Sequence, residues 1–151
     1  VKLMQIGVIG AGECDEETYR IAYRVGELIA EKGHVLINGG LGGVMEASAK
    51  GAKSKGGLVV AILPRKKDLC NDFADIRIAT DMGHARNVII VHSSDALISV
   101  GGGYGTISEI AIALKEGKRV ASLKPPVVIE GMRVFETPEE AVNYCISSSV
   151  K

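Results

Sequence analysis

The chain has 151 residues, 46% of them hydrophobic and 24% charged, and its eighteen basic side chains are balanced by eighteen acidic ones. That profile suits one globular domain over 1–151 with a sizeable core, and it excludes a disordered tail. A net charge of zero offers no field for a polyanion, so neither nucleic acid nor a membrane surface is an expected partner.

In chain order, the sequence alternates short apolar runs with helical periodicity. Val1 stands where an initiator methionine is usual, which points to processing or a chosen boundary. Lys2 followed by Leu3–Gly12 superficially imitates a signal peptide, but a long amphipathic pattern follows directly, so it is read as a strand, Leu3–Ile9, feeding a glycine turn. Asp15–Lys32 is predicted as a helix: its first turn is acidic, Ile21, Val25, Leu28 and Ile29 share a face, and Gly33 stops it. His34–Asn38 is a strand, Val44–Lys55 a helix ending at Gly56-Gly57, and Leu58–Leu63 a strand. Pro64–Asp75 is the one long irregular stretch, and its Arg65-Lys66-Lys67 run is read as a solvated basic loop. Ile76–Ala79 is a weaker strand candidate. A helix over Gly83–His92, a strand at Ala96–Val100, a helix over Thr106–Glu116 and strands at Arg119–Leu123 and Val127–Ile129 follow. Thr137-Pro138-Glu139-Glu140 opens the last helix with a capping-box pattern and proline at its first position.

Strands without in–out alternation, separated by helices, imply an α/β fold: three layers α/β/α around a mainly parallel sheet of six or seven strands. Cys14, Cys70 and Cys145 are odd in number and form no C-x-x-C pair, so they are read as reduced thiols of a cytoplasmic protein with no metal site. No apolar run reaches the ~18 residues needed to span a bilayer.

Glycine is the outlying residue. Nineteen in 151 is nearly twice the usual share of about 7%. Ten of them fall in three clusters, each directly after a predicted strand: Gly10 and Gly12; Gly39, Gly40, Gly42 and Gly43; Gly101, Gly102, Gly103 and Gly105. A parallel sheet places all three at one edge, each leading into a helix N-terminus, where free N–H groups and the helix dipole favour an anion. The pattern predicts a small phosphorylated ligand held by backbone donors. It fits neither established nucleotide motif. Gly10-Ala11-Gly12 begins a dinucleotide fingerprint, but Asp15 occupies the third glycine position and Asn38 the place of the ribose-binding acid. No glycine loop is followed by Lys-Ser or Lys-Thr, so the ATPase P-loop is absent.

Glu109 lies one turn into the helix after the third cluster, and Arg86 lies upstream in Met82-Gly83-His84-Ala85-Arg86-Asn87. They are the candidate catalytic pair, but each has a plainer reading. Thr106-x-x-Glu109 is also a capping box, and Arg86 is compatible with a helix surface. His84 is a weak acid–base candidate, and Met45 and Tyr104 are candidate ligand contacts.

Gly39-Gly40-Leu41-Gly42-Gly43-Val44-Met45-Glu46 and Gly102-Gly103-Tyr104-Gly105-Thr106-Ile107-Ser108-Glu109 resemble the paired signature loops of the superfamily that unites the Lonely Guy phosphoribohydrolases and the molybdenum cofactor carrier proteins. The resemblance runs from about Gly7 to Leu123. It implies a Rossmann-like fold, a homodimer or higher homo-oligomer, and a ligand site formed by Gly10, Gly12, Gly39, Gly40, Gly42, Gly43, Met45, Asn87, Gly102, Gly103, Tyr104, Gly105 and Thr106. For an enzyme it implies hydrolysis of the N-glycosidic bond of a nucleoside 5′-monophosphate, with the essential arginine and glutamate on Arg86 and Glu109 and no cofactor required. The alternative it implies is a non-catalytic carrier of molybdopterin. Hydrolase members usually have proline where this chain has Gly101 and lysine where it has Asn87, which brings the chain closer to the carrier-like branch. Members are often labelled lysine decarboxylases, yet none of the eleven lysines stands out as a pyridoxal phosphate attachment point.

Overall fold

The computed structural model describes residues 2–147; Val1 and 148–151 lie outside the described residues. The elements run β1 (Gln5–Gly10), α1 (Glu16–Glu31), β2 (Val35–Asn38), α2 (Val44–Ser54), β3 (Val59–Leu63), β4 (Ile76–Ala79), a 3₁₀ turn (Gly83–Ala85), α3 (Arg86–Ser93), β5 (Ala96–Val100), α4 (Tyr104–Lys115), β6 (Arg119–Leu123), β7 (Arg133–Val134) and α5 (Pro138–Ile146). Seven strands form one sheet in the order β4-β3-β2-β1-β5-β6-β7, and every neighbouring pair is parallel. The α/β expectation therefore holds, with the sheet wholly rather than mainly parallel.

Two apolar cores flank the sheet. Ile6, Val8, Leu36, Val59 and Ile98 point to the face covered by α1, α2 and α5. Ile9, Ile37, Ile62, Leu97 and Val120 point to the face covered by α3 and α4. Strands buried on both faces explain why the apolar runs in the sequence do not alternate. The edges differ. All four residues of β4 are exposed, Ile76 and Ile78 among them.

The strand expected at Val127–Ile129 is not formed. Pro125 and Pro126 precede it, Lys124 takes a positive φ of 53°, and Val127 and Val128 are exposed. The chain turns once more, with the Met132 N–H donating to the Ile129 carbonyl at 3.1 Å, before β7 pairs with β6. Prolines cannot donate to a ladder, so the edge strand forms beyond them. The helix expected from Gly83 starts with a 3₁₀ turn and becomes α-helical at Arg86.

Strand order reverses between β1 and β5, and the chain leaves these neighbours in opposite directions across the sheet. That is the switch point where a crevice opens at the carboxyl ends of such strands.

Candidate functional site

A cleft of about 260 Å³ occupies the switch point, lined among others by Gly10, Gly12, Gly39, Leu41, Met45, His84, Arg86, Asn87, Gly103, Gly105, Thr106 and Glu109. The fold thus brings Arg86 and Glu109 together from α3 and α4. Of the expected ligand residues, Gly10, Gly12, Gly39, Met45, Asn87, Gly103, Gly105 and Thr106 line it, while Gly40, Gly42, Gly43, Gly102 and Tyr104 do not. Tyr104, the first residue of α4, is 93% exposed.

Not all the glycines serve the same purpose. A side chain at Gly43 would strike the Ala11 carbonyl at 2.3 Å, and the Val44 N–H donates to that same carbonyl at 3.0 Å. The second glycine cluster thus locks the loop after β2 onto the loop after β1. Gly39 makes room for an arginine: a Cβ there would lie 2.7 Å from Arg86 Nη2. Gly103 and Gly105 have no such neighbour. A Cβ would meet nothing within 4 Å at Gly103, and only Asn87 Nδ2, at 3.8 Å, at Gly105. The protein itself gives no steric reason for glycine at those two positions.

The three helix N-termini also differ. The Asp15 carboxylate caps α1, accepting from the Thr18 N–H at 2.8 Å, with Glu16 and Glu17 beside it. At α2 the first amides are already bonded, Val44 to Ala11 and Met45 to Gly42. At α4 the cap residue is Gly103, with no side-chain cap. The amides of Tyr104, Gly105 and Thr106 have no acceptor among the described residues. The expectation of three anion-favouring termini therefore reduces to one, because local carboxylates and carbonyls occupy the other two.

Since α4 begins at Tyr104, Thr106 is its third residue and cannot be the N-cap that a capping box needs. That removes the plainer reading of Glu109. The Glu109 side chain is 6% exposed and makes no hydrogen bond or ion pair among the described residues. Burial pushes its carboxyl up to about 7, and nearby Arg86 pulls only partly the other way.

Arg86 is 8% exposed and is not a helix-surface residue. Its Nε–H donates to the Ile62 carbonyl at 3.0 Å, one Nη donates to Asn87 Oδ1, and the other makes a long 3.5 Å contact with the Gly39 carbonyl. Burial lowers its pKa and the negative charge of Glu109 raises it, burial being the larger. Among the described residues no carboxylate lies within 4.0 Å of it. Its remaining N–H groups leave it able to hold an anion, the task for which a planar guanidinium is suited.

Asn38 turns out to be structural. Fully buried, it donates to the Met45 carbonyl at 2.8 Å and accepts from the Gly40 N–H at 2.9 Å, tying β2 to α2. Sequence reasoning undervalued His84 and did not single out Leu41, both of which line the cleft. Leu41 could have been found as the one apolar side chain between two glycine pairs. Among the described residues no group of three or more His, Cys, Asp or Glu could hold a metal. Nor, among the described residues, is any helix long and apolar enough to cross a membrane.

The same fold occurs in known proteins. A protein of Archaeoglobus fulgidus is 99% identical over the full length of both chains. A cytokinin riboside 5′-monophosphate phosphoribohydrolase of Mycobacterium tuberculosis is 34% identical over 124 residues, 80% of this chain and 66% of that enzyme. Among solved structures, the molybdenum cofactor binding protein of Rippkaea orientalis superposes with a TM-score of 0.89 at 38% identity, covering 95% of each chain. The molybdenum cofactor carrier protein of Chlamydomonas reinhardtii gives 0.86 at 34% identity, covering 93% of this chain and 95% of that one. The model of the SLOG cluster4 family matches residues 3–150. With its uncapped α4 terminus, paired glycine loops and opposed Arg86 and Glu109, the chain belongs to the SLOG cluster4 family, within the Lonely Guy and molybdenum cofactor carrier superfamily.

Proposed function

We propose that the cleft binds a nucleoside 5′-monophosphate and hydrolyses its N-glycosidic bond, giving free base and ribose 5-phosphate. The observation that carries this reading is Glu109: a buried carboxyl facing the cleft, with no hydrogen-bond or ion-pair partner among the described residues, poised at about 7 beside buried Arg86. The phosphate would sit on the free amides of α4 with the Thr106 hydroxyl. Cleavage builds positive charge on the ribosyl ring. Ionised Glu109 offsets that charge and takes a proton from water as its oxygen bonds to the anomeric carbon, and the C–N bond breaks. The departing base nitrogen recovers the proton, and Arg86 holds an anionic oxygen of the substrate. A carboxyl near neutrality is suited to both proton transfers.

A second reading is carriage of molybdopterin without chemistry. It is favoured by the two carrier-type structures, which match over nearly their whole length. The same donors would hold its phosphate. Incubating pure protein with AMP, CMP, GMP and IMP and measuring free base separates the two. Base released by wild type but not by Glu109→Gln supports the hydrolase. No base, together with a melting temperature raised by molybdopterin, supports the carrier.

Either reading makes Gly105 a ligand position. Gly105→Ala should fold at least as well as wild type, since alanine in a helix is worth about 0.5–1 kcal/mol over glycine. It should nonetheless lose tenfold or more in AMP affinity. A melting curve and a binding isotherm check the two halves; unchanged affinity would place the phosphate elsewhere.

A further inference from the structure

Beside the cleft lies an outer lobe of about 170 Å³ lined by Leu41, Pro64, Arg65, Gly83, His84 and Arg86. Leu41, His84 and Arg86 line both spaces, so the two adjoin across these residues. The inner lobe alone, about 260 Å³, falls below the roughly 300–1,000 Å³ usual for ligand pockets. With the outer lobe the space enters that range.

The outer lobe has two arginines on its walls and no carboxylate. Arg65 has no hydrogen-bond or ion-pair partner for its guanidinium among the described residues. Its neighbour Lys66, by contrast, pairs with Asp81 at 3.6 Å. Nor is Arg65 carried on a loose loop. The Leu63 carbonyl accepts from Thr80 N–H at 3.1 Å, the Pro64 carbonyl from Gly83 N–H at 2.9 Å and the Arg65 carbonyl from Asp81 N–H at 3.3 Å, while Thr80 Oγ1 donates to Leu63 at 2.7 Å. Four hydrogen bonds therefore hold the backbone that presents this side chain. Two arginines on the wall of one cavity that no carboxylate lines suit an anion, which would form charge-assisted hydrogen bonds to both.

We infer that the outer lobe seats a second phosphoryl group, so that the preferred ligand is doubly phosphorylated: one phosphate on the α4 amides, the other between Arg65 and Arg86. This rests on the reading of the inner lobe as a nucleotide site and names the class of ligand that fills the whole cleft. The basic run Arg65-Lys66-Lys67 is then not uniformly a solvated loop, and Arg65 is its specificity-determining member.

Equilibrium dialysis of AMP, ADP and adenosine 3′,5′-bisphosphate against wild type, Arg65→Gln and Lys67→Gln tests it, with intact nucleotide counted by chromatography. In wild type at least one bisphosphorylated ligand should bind tenfold or more tightly than AMP. Arg65→Gln should abolish that advantage and leave AMP within twofold, whereas Lys67→Gln should preserve it. If AMP binds and neither bisphosphorylated ligand binds more tightly, the outer seat is refuted while the nucleotide reading stands. Equal weakening of all three ligands by Arg65→Gln, or the same effect from Lys67→Gln, also refutes it, since a diffuse positive field would suffice. If none of the three binds, both readings fall together.

Discussion

Glu109→Gln should abolish base release, by a hundredfold or more in kcat, and at the same time make the protein more stable above neutral pH. Both effects come from one buried carboxyl. Glu109 is held near 7 in the folded chain, against an ordinary value of 4.5. Between these values the native state keeps a proton that the unfolded chain has lost, so stability falls as pH rises. The favourable contribution is intact in acid and is lost as pH climbs from about 4.5 to 7. At about 1.4 kcal/mol per pH unit, the ionised group costs the fold at most about 3 kcal/mol by pH 8. Glutamine carries no charge and avoids that cost. The variant should melt on the order of 8 °C above wild type at pH 8 and within a degree or two of it at pH 4.5. In wild type, base release should rise with pH through about 7 as the carboxylate forms. Equal melting temperatures at pH 8 would mean that Glu109 is not desolvated.

Gly26→Ala should be the most damaging single methyl in the chain. α1 and α2 cross backbone against backbone: a Cβ at Gly26 would lie 1.9 Å from the Ser48 carbonyl oxygen, and one at Gly51 would lie 2.0 Å from the Tyr23 carbonyl oxygen. Neither obstacle is a side chain that can swing aside, so the helices must part along their length, exposing Ala22, Ala47 and Ala52, which are buried around the crossing. Overpacking against movable side chains costs 1–3 kcal/mol; against a fixed backbone ~3 kcal/mol or more is expected, a large part of the 5–15 kcal/mol that holds a typical domain together. Gly26→Leu should not fold. Gly105→Ala, whose added methyl would meet only Asn87 Nδ2 at 3.8 Å, is the control and should melt no lower than wild type. Urea midpoints for the three variants give the comparison.

The sheet and most helices were legible because their signals are local. Buried strands such as Ala96–Val100 are short β-branched runs, and Asp15 and Thr137 announce the starts of α1 and α5 by side-chain chemistry that the structure reproduces. What was not legible depended on contacts distant in sequence. β7 is two residues without an apolar signal, formed where the chain first regains β6 after Pro125-Pro126. The start of α4 was misread by two residues because threonine is a better cap than glycine in isolation, whereas the turn after β5 needs Gly101 and Gly102 at φ 59° and 107° and so brings the helix forward. The meeting of Arg86 and Glu109 was expected from a resemblance, but their burial, and the absence of a hydrogen-bond or ion-pair partner for Glu109 among the described residues, required the fold. So did the sorting of the glycines. Their positions gave the edge of the sheet, and only the surroundings of each separate those that fit loop to loop from those with empty space in front of them.

The fit of Arg86 against Gly39 has an evolutionary consequence. A side chain at 39 would meet Arg86 Nη2 at 2.7 Å and Met45 Sδ at 2.8 Å, so it displaces both the guanidinium and the thioether. Selection on residue 39 therefore acts through residues 86 and 45 together. Relatives that keep the arginine should tolerate nothing but glycine at 39. Lineages that have dropped it and carry a shorter side chain at 45 should be free to place alanine or serine there, even while the rest of the glycine loop stays unchanged.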